Sequence, residues 1–362
     1  MKISLDAKRA YHNSRGLGNY SRDTIRLLTT FAPENEYYLI GKPSAKYSFG
    51  GTTTVAPHGI YRHCPTMFRS FGCVADLRGM DVYMGLSGEL PFGIHRVDTL
   101  RKIVTIHDAI FIRYPELYSA TYRYVFTQKV KYACHVADKI IAISEQTKKD
   151  VVRFFGVDEK KIEVVYQGCN NIFREKVTDE ALKELSSYGL PSEYILNVGA
   201  IEPRKNLENL IKAVGVSGCG LPIVAVGGKS KYAEQMRMLA EETGVSLTML
   251  HNLPFRLFPA VYSKAMMFAY PSVFEGFGIP ILEAMCVGTP VLTSTGSCFA
   301  ETGGEACVYA NPLSVEEIAE GVKRIAEDEN MRRKMVTKGY EQAAKFTDEK
   351  VAKALIQAIN KI

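Results

Sequence analysis

The chain has 362 residues, 46% of them hydrophobic and 23% charged, with a formal net charge of +6. That length allows two domains, each with its own core, and the composition is that of an ordinary soluble globular protein. It excludes a disordered chain and a small disulfide-built scaffold, and no apolar run approaches membrane-spanning length.

In chain order, short β-branched runs predict strands at 1–6, 36–41, 81–85, 101–106, 139–143 and 162–166. Helical patterns follow at about 19–31, 116–136 and 144–155, the last with Ser144 as a suitable N-cap. Further along, strands are predicted at 194–199, 222–227, 247–250, 267–270 and 289–293. Helices are predicted at 205–215, 231–243, 254–264, 280–287, 314–327 and 329–345. Strand–helix alternation argues for parallel sheets covered on both faces, and so many strands require two of them. The expected division is 1–170, 171–345 and a C-terminal helical segment 346–362 packing back toward the first domain, with the boundary in the polar stretch 168–180. A ligand in such an α/β chain binds at the C-terminal strand ends, facing the crevice between domains.

Four stretches fall where that rule places a site. Arg15-Gly16-Leu17-Gly18-Asn19-Tyr20 follows the first strand. Its two glycines, read as a loop before a helix, let backbone N–H groups approach a phosphate or sugar; a flexible loop is the plain alternative. His107-Asp108 ends strand 101–106. A histidine there either serves the sheet rim or meets a substrate hydroxyl. Arg204 and Lys205 stand just before a helix start, where cations oppose the helix dipole unless an anion binds among them. A diphosphate suits that place, with arginine bidentate and lysine a point charge; a solvated basic turn is the alternative.

The richest stretch is 272–290. Glu275 and Glu283 have seven residues between them, with Gly276-Phe277-Gly278 and then Pro280 opening an apolar helical run. Proline suits a first helical position, so Glu275 lies on the preceding loop and Glu283 about one turn inside. Acidic residues are common near helix starts, but a carboxylate flanked by Ile281, Leu282, Ala284 and Met285 needs a partner.

These residues resemble those of retaining GT-B glycosyltransferases of family 4. The resemblance is carried by Gly16-Leu17-Gly18, His107-Asp108, Ile143-Ser144-Glu145, Asn197-Val198-Gly199, Glu202-Pro203-Arg204-Lys205-Asn206-Leu207, the Glu275-to-Glu283 segment and Gly288-Thr289-Pro290-Val291. It covers essentially the whole chain, and the Glu-Pro-Arg-Lys-Asn form looks closest to mannosyltransferases of surface polysaccharide assembly. It implies two Rossmann-like doubly wound domains, an N-terminal one for the acceptor and a C-terminal one for the nucleotide sugar. Glu275 would contact donor-sugar hydroxyls, Glu283 the ribose, and Lys205 with a nearby arginine the diphosphate. Amides at Gly16 and Gly18 would sit beside the phosphates or acceptor. His107 would touch the sugar near its anomeric carbon, and Gly276, Phe277, Gly278 and Ile279 would bring backbone donors to sugar and phosphates. The chain departs from the pattern at Ala200, where many members carry arginine; Arg204 is the candidate substitute and Lys229 or Lys231 the alternative.

The implied chemistry is hexose transfer, GDP-mannose favoured, to a glycan or polyprenyl-linked glycan. No cofactor or metal is expected, because the cations would stabilise the leaving diphosphate and no Asp-x-Asp motif is present. A non-catalytic nucleotide-sugar binder and a related epimerase are the alternatives. The eight cysteines have no metal-ligand spacing and the opening Met1–Asp6 has no signal-peptide core, so a cytoplasmic protein with reduced thiols is expected. Segment 61–71 and residues Tyr122, Arg123, Tyr124, Phe126, Lys129 and Lys131 mix cations with aromatics, as faces on anionic lipid do, though an amphipathic helix on a sheet reads the same. No nucleic-acid partner is expected.

Overall fold

The computed structural model describes residues 1–361, which divide into two compact units, 1–167 with the C-terminal stretch from Asp348, and 168–347.

Unit 1 holds a seven-stranded, wholly parallel sheet: β1 (Lys2–Asp6), β2 (Glu36–Ile40), β3 (Thr52–Val55), β4 (Val82–Gly85), β5 (Arg101–Ile106), β6 (Lys139–Ala142) and β7 (Ile162–Val164), in the order β3-β2-β1-β4-β5-β6-β7. Its helices are α1 (Lys8–His12), α2 (Gly16–Phe31), α3 (Pro65–Ser70), α4 (Ile110–Arg113), α5 (Ala120–Val136) and α6 (Glu145–Phe155). The strands read as continuous apolar runs because both faces are covered. On β5, Ile103 enters one hydrophobic cluster and Val104 and Ile106 the other, as a period of two requires.

Unit 2 repeats the design with α7 (Asp179–Ser186), β8 (Ile195–Val198), α8 (Leu207–Ser217), β9 (Ile223–Val226), α9 (Lys231–Glu242), β10 (Leu247–Leu250), α10 (Phe258–Ser263) and β11 (Met267–Tyr270). It continues with α11 (Ile279–Cys286), β12 (Val291–Ser294), α12 (Phe299–Gly303), β13 (Cys307–Ala310), α13 (Val315–Glu327) and α14 (Glu329–Ala343). This parallel sheet has the order β10-β9-β8-β11-β12-β13. The last helix, α15 (Asp348–Asn360), packs on α2 in unit 1, where Arg26 Nη1 meets Asp348 at 2.7 Å. In each sheet the strand order reverses at one point, between β1 and β4 and between β8 and β11. That is where a doubly wound sheet opens a crevice at its strand ends.

Several sequence expectations need correction. Gly16 to Gly18 is the first turn of α2 rather than a loop before it. A Cβ at Gly18 would lie 1.7 Å from the Asn13 carbonyl oxygen, so that glycine lets two backbone segments pack. Pro280 is the second helical residue, after Ile279. The helix placed at 205–215 begins at Leu207, because Pro203–Lys205 form a 3-10 turn and Asn206 is left-handed at φ 59°. The helix placed at 116–136 begins at Ala120, capped by Ser119. Strands β3 and β13 were not predicted. Both are edge strands: β3 is mostly threonine, and β13 is only four residues long and buried at alternate positions.

Candidate functional site

The loops after β8 and β11 flank the reversal point of unit 2 and hold its densest cluster of ionisable side chains. Asn206, buried and left-handed, donates from Nδ2 to the carbonyls of Pro271 (3.0 Å) and Pro312 (2.7 Å), tying the β8 loop to those after β11 and β13. Asparagine tolerates this backbone better than other side-chain-bearing residues. With the loop fixed, Lys205 Nζ reaches Glu275 Oε1 at 2.6 Å and Arg204 Nη1 reaches the same oxygen at 2.8 Å. Tyr270 OH, the last residue of β11, donates to Glu275 Oε1 at 3.0 Å, accepts from Lys205, and offers its ring face to the ammonium at 4.9 Å. Arg204 is further held by Glu202 Oε1 (2.8 Å) and the Phe274 carbonyl (2.7 Å).

Glu275 is 9% exposed. Burial pushes its carboxyl up, but the Lys205 ammonium and the Arg204 guanidinium outweigh that and hold it down at about 2. The anion that the two cations require is therefore supplied by the chain's own glutamate. Lys205 is itself shifted downward, chiefly by burial and against the pull of Glu275.

Glu283 lies on α11 with one hydrogen bond, from Tyr262 OH to Oε2 at 3.0 Å. Burial raises its carboxyl to about 7, only partly offset by Tyr262. No cation reaches it among the described residues. Between the two glutamates, Gly278 takes φ 92° and turns the chain into α11. The amides of Gly276, Gly278 and Ile279 meet no acceptor among the described residues and lie at the positive end of that helix. Phe277 is buried, its ring edge-on to Phe346 at 5.5 Å and its carbonyl bonded by Thr302.

Lys229 and Lys231, after the adjacent β9, are exposed and make no ion pair among the described residues. Gly227 lets that loop come close, since a Cβ there would lie 2.3 Å from the Gly199 carbonyl oxygen.

In unit 1, His107 follows β5. Its Nε2 bonds the Leu86 carbonyl at 2.9 Å and its ring meets Tyr20 edge-on at 4.6 Å. A carbonyl only accepts, so Nε2 carries the proton and Nδ1 offers a lone pair. Burial lowers the imidazole to about 4, opposed by Leu86 and aided by Arg9, so it is neutral at physiological pH. Tyr20 belongs to α2, so the Gly16–Gly18 turn and His107 are neighbours through that ring. The Gly18 amide is already bonded to the Arg15 carbonyl at 2.9 Å.

Sequence reasoning missed the tyrosines. Tyr270 and Tyr262 are the hydroxyl partners of the two glutamates, and a tyrosine closing a buried strand was the available signal for the first. It also missed a buried ion network at the unit 1 reversal point: Arg69 bonds Asp6 (2.6 Å) and Glu89 (2.7 Å), and Lys129 joins at Glu89 (3.1 Å). Nothing in local spacing links residues so far apart in the chain.

Two doubly wound parallel sheets, each reversing at one point and carrying polar clusters at the strand ends, define an α/β protein of GT-B type. The fold of sucrose-phosphate synthase from Thermosynechococcus elongatus superposes with a TM-score of 0.77 at 20% identity, over 100% of this chain and 98% of that one. The glycosyl transferases group 1 family model matches residues 182–342, and the Glycosyltransferase Family 4 model matches residues 87–171. The O-antigen chain mannosyltransferase B of Escherichia coli is 27% identical over 284 residues, 76% of this chain and 73% of that protein. The O-antigen chain mannosyltransferase RfbU of Salmonella typhimurium is 30% identical over 236 residues, 64% of this chain and 63% of that protein. These likenesses support a GT-B glycosyltransferase resembling those of family 4.

Proposed function

We propose that the protein transfers a hexose, mannose from GDP-mannose favoured, to a glycan or polyprenyl-linked glycan in surface polysaccharide synthesis, with retention of anomeric configuration. The observation that carries this reading is the cluster of Lys205, Arg204, Tyr270 and Glu275 at the β8–β11 reversal point, followed by Glu283 on α11. The mannosyl specificity leans on the two O-antigen mannosyltransferases to which the chain is similar.

Departure of a nucleoside diphosphate builds charge on the β-phosphate. Lys205 and the free amides at Gly278 and Ile279 would meet that charge. Glu275, fixed by three partners, would accept from donor-sugar hydroxyls as a positioning group. Glu283 would accept from the ribose hydroxyls. The Nδ1 lone pair of neutral His107 would accept from a sugar hydroxyl. The acceptor hydroxyl would lose its proton to the departing phosphate in a front-face substitution. In this reading no metal ion is required, so activity survives EDTA.

Exposed Ile60, Met67 and Phe71 beside Arg62, and exposed Tyr122, Tyr124 and Val125 on α5, support a cytoplasmic protein resting on the inner face of an anionic membrane. Among the described residues no helix is long and apolar enough to cross a membrane.

The test is incubation of the purified protein with GDP-mannose, UDP-glucose and ADP-glucose, with and without a polyprenyl-linked glycan, and product analysis by NMR. Transfer of an α-linked hexose supports the reading. Binding without transfer or hydrolysis of any donor overturns it in favour of a nucleotide-sugar binder.

A further inference from the structure

Two thiols outside the cation–carboxylate cluster lie in contact within unit 2. Cys169 is the second residue of that unit, and Cys286 ends α11, one turn beyond Glu283. Their Sγ atoms are 3.4 Å apart, although 117 positions separate them in sequence. Cys169 is buried and Cys286 half-buried, so Cys286 is the more accessible residue of the two. Among the described residues no other two thiols bond each other.

The pair is chemically uneven. The Cys169 thiol as donor favours the thiolate at Cys286, burial opposes it, and the nearby Arg174 guanidinium adds to it. Thiolate character and access together choose the sulfur that reacts first.

We propose that Cys169 and Cys286 form a reversible disulfide, a modification site that fastens the entry segment of unit 2 to the helix carrying Glu283. The oxidant is a hydroperoxide. The Cys286 thiolate attacks the terminal peroxide oxygen, the O–O bond breaks, and the alcohol (water, for hydrogen peroxide) leaves with a proton. Cys286 is then a sulfenic acid. Cys169 Sγ displaces that oxygen, the S–S bond forms, and water departs with the Cys169 proton. Two thiols are oxidised and one hydroperoxide is reduced. Closing to a bond length of about 2.05 Å needs more than ~1 Å of approach between residue 169 and the last turn of α11. The plain alternative is two thiols packed as small hydrophobic groups, and that arrangement forms no bond.

The experiment treats the full-length protein with stoichiometric hydrogen peroxide, alkylates it, and maps peptides by mass. The expected result is a loss of about 2 Da and one cross-link, between the peptides of Cys169 and Cys286, reversed by dithiothreitol. In Cys169→Ser the cross-link is absent and a dimedone adduct of the sulfenic acid appears at Cys286. The proposal is overturned if both wild-type thiols stay alkylatable, if the cross-link joins other cysteines, or if Cys286 proceeds to sulfinic acid without a disulfide. Mass is the readout, so the outcome does not depend on which donor the enzyme uses.

Discussion

Glu275 and Glu283 are the same residue type with seven residues between them, yet the structure gives them opposite surroundings. Glu275 has two cations and a tyrosine hydroxyl on one oxygen and sits at about 2. Glu283 has a single tyrosine and is pushed up to about 7. Two loops converge on the first, from β8 and β11, whereas the second projects from one helix into a setting with no cation among the described residues. The first carboxylate is finished as a structural element before any ligand arrives. The second is left wanting partners, as a ligand-binding group does.

The largest effect should come from breaking the finished one. Glu275→Ala leaves the half-buried Lys205 without its carboxylate and Arg204 with Glu202 alone, and removing one partner of a buried pair typically costs up to about 3–5 kcal/mol. Urea denaturation at pH 7 should show that loss. The sign with pH is fixed by the depressed value. Glu275 contributes stability above the ordinary carboxylate range, and that contribution is lost as pH falls toward 2. A wild-type protein no more stable than Glu275→Ala at pH 7 would break the comparison.

Glu283 should act in the other direction. Its folded value is raised, so it lowers stability as pH climbs from the ordinary carboxylate range through about 7, by about 3 kcal/mol in the limit. Glu283→Gln should therefore melt higher than wild type at pH 8 and nearly equally at pH 4. The same variant should bind GDP about 10-fold or more weakly at pH 8, since a charged acceptor is worth ~1.5–3 kcal/mol. Equal melting and equal binding in both proteins would show that the two carboxylates are alike.

A smaller effect sharpens the cation side. In the proposed reading, Ala200 stands where the resemblance implies an arginine, and Arg204 or a lysine after β9 would help Lys205 hold a diphosphate. Arg204 is engaged with Glu275, Glu202 and the Phe274 carbonyl. Calorimetry of GDP binding to Arg204→Ala, Lys229→Ala and Lys231→Ala separates the two arrangements. Weakening by several-fold at Arg204, with both lysine variants near normal, keeps Arg204 in the clamp; the reverse pattern moves the role to the exposed lysines.

Much of this was legible in the sequence. Buried parallel strands write continuous apolar runs, so eleven of the thirteen strands are marked by composition, while β3 escapes as a threonine-rich edge and β13 as a four-residue edge buried only at alternate positions. The Glu275-to-Glu283 segment was readable because glycine, proline and an apolar helix start fix local geometry. That Glu275 itself fills the place of an anion between Arg204 and Lys205 was not, since about 70 residues separate the groups and only the β8–β11 pairing brings them together. Gly18 shows the same limit: its pattern suggested a ligand loop, and its contact with Asn13 is a packing constraint.

The division of labour between the glutamates is the central claim, and one paired measurement tests it. Steady-state turnover of GDP-mannose and calorimetric GDP affinity are measured at pH 8 for wild type, Glu275→Gln and Glu283→Gln. The account predicts that Glu275→Gln loses turnover far more than GDP affinity, while Glu283→Gln loses GDP affinity by about 10-fold or more. The reverse pattern, or two variants indistinguishable from wild type on both measures, would contradict it.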